Sequence, residues 1–402
     1  MWRVRFTSDT VYPDLHVGER LDLLSTSAPR GRLLDRNGKL LSSDADLASN
    51  LVGKAGNDDT DPTGLQRVFD AQLGGVPSTR LAIVDVMHGT VVDILHEWNS
   101  DAGKDLRTTI DLQMQKAAHR ALAKVPGTAA LVAIDTRTGE VLALASQPTS
   151  GLPAAFASYY APGSTFKIVT ATAALMAGST PQSPVQCSKT YNVEGRVFKN
   201  AEDAPDTTAS LTDVFAESCN TAFIRLEEEL PDGALQKAAE LYGFNGPAPL
   251  PVSSKGGSMP APASKVEAAA DSIGQGKVEA SPLQMASVAA GVASGTWHQP
   301  RIVADCPDCV SHEIPVAKQV QPLMRAVVTS GTGTAAAGVP GGPVYAKTGT
   351  AEFGSGSPPK THAWFVGYQG DIAFAVFVER GAYGGTVAAP IAAAFLTSVQ
   401  GR

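Results

Sequence analysis

Along residues 1–107 the apolar positions come in short runs broken by turn residues, which predicts short strands and turns. In Ala28–Ser43 an Asn37-Gly38 pair separates two apolar runs, a hairpin signal. Thr79–Trp98 repeats that pattern around His88-Gly89, and the polar segment Gly53–Gly64 reads as a loop. At Thr108 the texture changes. Leu112, Ala117 and Ala121 stand at helical spacing behind Asp111, a suitable N-cap. Ala129–Ser146 then alternates around Thr136–Gly139 and predicts a hairpin. Pro162-Gly163 makes a turn into an apolar helix, and from Ser179 to about Lys318 the chain reads as mostly helical, with Pro-rich loops at Pro247–Pro262. Tyr345–Phe353 and Thr361–Arg380 supply three strand-like runs, and a small-residue helix, Val387–Val399, closes the chain. This order predicts an α+β fold in which both chain ends complete one antiparallel sheet around a helical insert. The expected division is a β-rich pedestal over residues 1–107 and a main domain over 108–402.

Composition narrows the function classes. The chain has 402 residues, with 32 Lys plus Arg against 39 Asp plus Glu, a formal charge of −7. That balance does not suit a nucleic-acid partner. At 43% hydrophobic residues there is enough apolar material for a core. Ile168–Gly178, the longest apolar stretch, is far short of the roughly 20 residues that span a bilayer. Four cysteines are too few for a disulfide scaffold. Cys306 and Cys309, in a loop with Pro and Asp, suit a local loop-closing disulfide better than zinc or redox chemistry, whereas Cys187 and Cys219 are unpaired by spacing.

Three short motifs carry candidate chemistry. Ser164-Thr165-Phe166-Lys167 follows the Pro162-Gly163 turn, so Ser164 falls in a first helical turn. Lys167, three residues on, lies on the same face and can aim its amine at the Ser164 hydroxyl. To accept a proton near neutrality that amine must fall by about 3 pH units, which burial and a second cation would favour. Ser218-Cys219-Asn220 straddles a turn between helices, where a hydroxyl can relay protons and an amide can bind a carbonyl. Lys347-Thr348-Gly349-Thr350 lies in a strand pattern: Lys347 and Gly349 share a face, Gly349 leaves room for a ligand, and Thr348 and Thr350 offer hydroxyls to a carboxylate. Taken singly, each has a plainer structural role as a cap or a surface group. In this order and setting they form a composite signature of active-site serine acyl enzymes. A phosphate loop would need its Lys behind a Gly-rich strand-to-helix turn, no G-x-S-x-G is present, and His96-Glu97 and His312-Glu313 each lack the second His of a zinc-protease motif. No metal or cofactor is expected. His362, near the last motif, reads as structural, and Glu217 as a poor base because helix neighbours point apart.

On these motifs the chain resembles the monofunctional, class B penicillin-binding proteins. Arg30–Gly38 is similar to the family's N-terminal signature, and Thr108–Leu122 and Val132–Ser146 to the start of its catalytic domain. Pro162–Lys167, Ser218–Phe223, Ile273–Ala286, Gly331–Ala336 and Ala346–Glu352 follow in the family's order, so the resemblance covers Ala28 to the C-terminus. It implies the penicillin-binding/serine β-lactamase-like fold and a peptidoglycan D,D-transpeptidase. Ser164 would attack the penultimate D-Ala carbonyl of a stem peptide and Lys167 would be the base. Ser218 and Lys347 would shuttle the proton, Asn220 would bind the substrate amide, and Thr348 and Thr350 would hold the terminal carboxylate beside Gly349. The backbone N–H groups of Ser164 and Thr350 would form the oxyanion hole. β-Lactams would acylate the same serine, a glycosyltransferase partner is implied, and the site of action would be the extracytoplasmic face of the bacterial membrane.

Departures from the family accompany the likeness. Its cytoplasmic tail and spanning helix are missing, so the chain reads as a truncated soluble form with Met1 added. Val11–Leu24 resembles the segment that leaves an extra N-terminal domain in the methicillin-resistance subgroup. Two other functions stay open. A serine β-lactamase shares the first and third motifs, but class D enzymes carry an apolar residue where Asn220 stands. Class A enzymes need a deacylating Glu, for which Glu227–Glu229 are the candidates by position. A non-catalytic β-lactam sensor or divisome scaffold would keep the binding site alone.

Overall fold

A computed structural model describes residues 3, 6–57, 60–200, 206–354, 356 and 359–400. Met1, and Asp58 and Asp59 of the expected Gly53–Gly64 loop, lie outside the described residues. The chain forms two compact units, Met1–Leu34 with Lys54–Arg107, and Asp35–Gly53 with Thr108–Arg402. Asp35–Gly53 groups with the second unit.

The first unit is built on a three-stranded antiparallel sheet of Glu19–Thr26, Ser78–Asp85 and Val91–Trp98, in that order. Its last two strands turn at His88-Gly89, where Gly89 takes φ +66. The Asn37-Gly38 turn expected within Ala28–Ser43 is present, with the Asp35 N–H donating across it to the Lys39 carbonyl at 2.7 Å. Leu33-Leu34 also pairs in parallel with the distant Leu106-Arg107.

The second unit centres on a five-stranded antiparallel sheet ordered Val344–Phe353, Lys360–Gln369, Ile372–Val378, Ala129–Asp135, Val141–Gln147. Both ends of the unit complete one sheet, as the sequence pattern predicts. Ala129–Asp135 is buried at every position because helices cover both faces. On one face Leu112–Leu122 and Gly384–Val399 pack Leu122, Phe395 and Leu396 against Leu131, Phe365, Phe374 and Val376. On the other lies Pro282–Ser294, nearly wholly buried and apolar apart from Gln284, Ser287 and Ser294. The Asp111 carboxylate caps the first of these helices by accepting from the Gln113 and Met114 N–H groups.

The middle of the chain, expected to be mostly helical, is only partly so: Gly257–Ser258 pairs with Glu279–Ala280, and Thr296–His298 with Ser311–Glu313, between its helices. Residues 184–210 hold four short strands, Pro184–Cys187, Thr190–Val193, Arg196–Lys199 and Thr207–Ser210. Thr190–Val193 and Arg196–Lys199 form a hairpin turning at Glu194-Gly195, both with positive φ. Period-two alternation there is confined to four-residue runs, too short to stand out beside the flanking helices. Among the described residues no helix is long and apolar enough to cross a membrane.

Candidate active site

The site forms where the edge strand Val344–Phe353 meets the turn before the Lys167–Met176 helix. Gly163–Phe166 is a 3-10 turn running straight into that helix, so Ser164 and Lys167 sit one turn apart on one face. Gly163 has φ +52, and a Cβ there would stand 2.7 Å from the Thr350 carbonyl oxygen, so glycine is required for the serine turn to reach the strand. The Gly163 N–H donates to the Gly274 carbonyl at 2.9 Å, and the Trp364 indole donates to the Ala161 carbonyl at 3.1 Å. Gly274, which lies in the Ile273–Ala286 motif, thus fastens the turn from behind.

The two lysines are fully buried, whereas Ser164, Ser218, Asn220 and Thr350 are part-exposed at the cleft. Lys167 Nζ lies 2.7 Å from the Ser218 carbonyl oxygen, 2.7 Å from Asn220 Oδ1 and 3.0 Å from Ser164 Oγ. The first two atoms can only accept, so they fix two N–H bonds of the amine. What remains points at Ser164, and in a neutral amine that is the lone pair. Burial, reinforced by the charge of Lys347, pushes Lys167 well below its ordinary value, towards the neutral form.

Lys347 Nζ donates to Ser218 Oγ at 2.8 Å and to the Thr348 carbonyl at 3.1 Å. Burial lowers it to about 7, opposed by the negative charge of Glu217. Ser218 Oγ also lies 3.4 Å from Lys167 Nζ. Ser164, Lys167, Ser218 and Lys347 therefore form one continuous hydrogen-bonded chain, although they come from three distant stretches of sequence. Burial thus lowers both amines, and the charge of Lys347 adds to the lowering of Lys167.

Asn220 is nearly saturated. Its Oδ1 takes the Lys167 amine and one Nδ2 hydrogen goes to the Lys199 carbonyl at 3.1 Å, leaving the second hydrogen for a substrate carbonyl. Gly349 lies against the serine turn, where a Cβ would meet Thr165 Cγ2 at 2.8 Å and the Pro162 carbonyl at 2.9 Å. Thr350 Oγ1 accepts from the Gly384 N–H at 3.4 Å. Thr348 Oγ1 pairs with Thr332 Oγ1 at 2.5 Å. Thr332 was given no role by sequence reasoning, although it lies in the quoted Gly331–Ala336 motif.

Other expected features fall elsewhere. Glu217 is exposed and makes itself felt through Lys347 rather than at the serine. The His362 imidazole bonds the Glu379 carbonyl through Nδ1 at 2.6 Å and stacks on Phe353, a packing role. Cys306 and Cys309 form the local disulfide expected of them. Cys187 and Cys219, read from spacing as unpaired, are joined across 32 residues with Cα atoms 6.1 Å apart. Spacing cannot reveal such a bond because the fold alone brings the two together; the even cysteine count was the available signal.

This fold and constellation are those of an active-site serine acyl-transfer enzyme. The transpeptidase domain model of the penicillin-binding proteins matches residues 129–397, and the chain belongs to that family. It is 31% identical to the peptidoglycan D,D-transpeptidase PbpA of Mycolicibacterium smegmatis, across 84% of this chain and 79% of that one. It is 27% identical to the peptidoglycan D,D-transpeptidase FtsI of Escherichia coli, across 88% and 66% of the two chains. Among solved structures it resembles the ceftriaxone acyl-enzyme complex of penicillin-binding protein A from Mycobacterium tuberculosis, with a TM-score of 0.77, 26% identity, and 92% and 98% coverage.

Proposed function

We propose that this chain is a class B peptidoglycan D,D-transpeptidase that cross-links stem peptides through an acyl-enzyme on Ser164. The observation that carries the roles is the Ser164–Lys167–Ser218–Lys347 chain, in which a buried amine faces the part-exposed Ser164 hydroxyl at 3.0 Å and the Ser218 hydroxyl at 3.4 Å. Lys167 takes the Ser164 proton as Oγ bonds to the penultimate D-Ala carbonyl carbon. The oxyanion is held by the backbone N–H groups of Ser164 and Thr350, worth about 3 kcal/mol per donor. As the C–N bond breaks, the leaving D-Ala amine takes a proton through Ser218, supplied by the Lys167–Lys347 pair. An amine of a neighbouring strand then attacks the ester and restores Ser164. Asn220 orients the substrate amide, and Thr348 and Thr350 hold the terminal carboxylate; Gly349, expected to leave room for a ligand, instead leaves room for the serine turn.

A β-lactam presents the same carbonyl and carboxylate, so it would acylate Ser164. The class A hydrolase alternative requires a deacylating Glu. Among its candidates Glu228 bonds Tyr191, and Glu227 has Glu228 and Asp271 as its charged neighbours, which fits a structural cluster. A sensor would need no complete proton chain. The extracytoplasmic side of the membrane is where the substrate lies, and two disulfides with no free cysteine suit that oxidising compartment. The reading includes a glycosyltransferase partner that supplies the strands. Membership of the methicillin-resistance-like subgroup rests on Val11–Leu24 alone, part of which is a sheet strand here.

Mass spectrometry after mixing with benzylpenicillin tests the site. The expected result is one long-lived penicilloyl adduct, absent in Ser164→Ala and strongly slowed in Lys167→Ala. Turnover of the drug within seconds would make the chain a β-lactamase. Drug binding without cross-linking or trimming of any D-Ala-D-Ala peptide would make it a sensor.

A further inference from the structure

Cys219 stands between two residues of the catalytic machinery, and the structure shows why a cysteine is there. The Asn220–Glu228 helix starts immediately after it, so Cys219 occupies the N-cap, where Ser, Thr, Asp or Asn would normally satisfy the first free N–H groups. Cys219 makes no such cap. The cap comes from elsewhere: Asn200 Oδ1 accepts from the Asn220 N–H at 2.9 Å and the Thr221 N–H at 3.2 Å. Asn200 is in turn tied by its Nδ2 to the Ser188 carbonyl at 2.9 Å, next to Cys187. The Thr221 hydroxyl bonds the same carbonyl at 2.7 Å. On the other side of the bridge Ser218 has φ +60, a left-handed conformation uncommon for a non-glycine residue and one that persists only where neighbours enforce it.

We propose that the Cys187–Cys219 bridge and Asn200 form a clamp that positions Ser218 and Asn220 for acyl transfer. The inference rests on the transpeptidase reading of this site. Its logic lies in the acceptors of Lys167: the Ser218 carbonyl and Asn220 Oδ1 flank Cys219 on either side, and together they set where the amine points. The bridge fixes the residue between them to the Pro184–Cys187 strand, and Asn200 fixes the helix start behind them. If Cys219 shifts, both acceptors shift, and the amine loses its aim at Ser164 Oγ. The disulfide is buried, with Cys187 4% and Cys219 3% exposed, so it acts as a permanent part of the site.

The test compares wild type, Cys187→Ala/Cys219→Ala and Asn200→Ala, with Cys306→Ser/Cys309→Ser as a control that removes the other bridge. Each is assayed below its melting onset, with the folded fraction fixed by circular dichroism. The readouts are the second-order constant for acylation by benzylpenicillin and the position of the acid limb of its pH profile. Loss of alignment lowers the constant about tenfold to a hundredfold in both clamp variants. It also moves the acid limb to higher pH, because water admitted to the site returns Lys167 towards its ordinary value. Lys347 is the charged group acting on Lys167, and Glu217 acts in turn on Lys347; all the variants keep both. A bridge that served stability alone would lower the melting temperature and leave the acid limb in place. A folded double variant matching wild type in both readouts overturns the clamp. If the double variant does not fold, Asn200→Ala, which keeps both bridges, decides by the same criterion. A wild-type chain that benzylpenicillin does not label overturns the transpeptidase reading and the clamp with it; equal labelling of all four proteins overturns the clamp alone.

Discussion

Replacing Lys347 by Met is expected to raise stability at pH 6 while abolishing efficient acylation. The side chain is fully buried, and its ammonium is held at about 7 against an ordinary 10.5. That gap, at about 1.4 kcal/mol per pH unit, makes the charged form about 5 kcal/mol less favourable in the fold than in the unfolded chain. Met matches the stem in volume and keeps its packing near Phe215, whose ring lies 5.5 Å from Nζ. The substitution leaves the Thr348 carbonyl without this donor, a cost of about 2 kcal/mol. Losing the cation over the Phe215 face costs about 1 kcal/mol more. The balance is a gain of about 2 kcal/mol at pH 6, or about 4 °C in melting temperature. The sign with pH follows from linkage. Between about 7 and 10.5 the unfolded chain holds the proton that the folded chain has released, so wild-type stability rises with pH through this window. The penalty is therefore complete at pH 6 and gone above 10.5, and the advantage of Lys347→Met shrinks as the solution becomes alkaline. Urea unfolding of both proteins at pH 6 and pH 9.5 measures it. A variant less stable than wild type at pH 6, or a difference that is the same at both pH values, would refute the reasoning. Acylation by benzylpenicillin should fall about a hundredfold or more, since the proton relay through Ser218 loses one end.

Two further outcomes are expected. Thr332→Val removes the hydroxyl paired with Thr348 Oγ1, a bond worth about 1 kcal/mol, so acylation by a carboxylate-bearing β-lactam should slow about fivefold while the melting temperature falls by about 2–4 °C; an unaltered rate removes Thr332 from the carboxylate subsite. His119 lies 3.5 Å from Asp44 and 3.6 Å from Asp46, and although burial pulls it down, the hydrogen bond and charge of Asp44, helped by Asp46, hold it above 6.5. A raised value means stability present in full below the unfolded value of about 6.5 and lost as pH rises through the folded one, so His119→Gln should cost more stability at pH 5.5 than at pH 8, and an equal loss at both contradicts it.

What could be read from sequence was what is local. The Ser164–Lys167 spacing fixes a shared helical face whatever the rest of the chain does, and the strand character of Val344–Phe353 fixes which side Lys347 and Gly349 share. The sheet was legible because its strands are either uniformly apolar or joined by strong turns. Asn200 was not legible: it contacts Asn220 across 20 residues, and an Asn in a loop carries no mark of the helix it caps. The Cys187–Cys219 bond had no spacing signal, and Gly274 was visible as a motif member without its partner Gly163. The placement of Asp35–Gly53 with the second unit was hidden for the same reason. Its ties, such as the Asp46 carboxylate accepting from the Ser146 N–H at 2.9 Å, span 100 residues.

The burial of two amines in one unit is unfavourable for folding and, under the proposed roles, is also the source of the reactivity. A solvated lysine beside Ser164 would stay protonated at neutral pH and could accept nothing from the hydroxyl. Removing water disfavours the charged form of both amines, and the charge of Lys347 lowers Lys167 further. The acceptors at Ser218 and Asn220 then decide the direction in which the freed lone pair points. Burial sets the protonation state, while the loop around Cys219 sets the geometry. The two requirements are met by different parts of the chain but are coupled: a Lys347 substitution should fail through charge and proton supply, and a Cys219 or Asn200 substitution through lost alignment together with the water that misalignment admits.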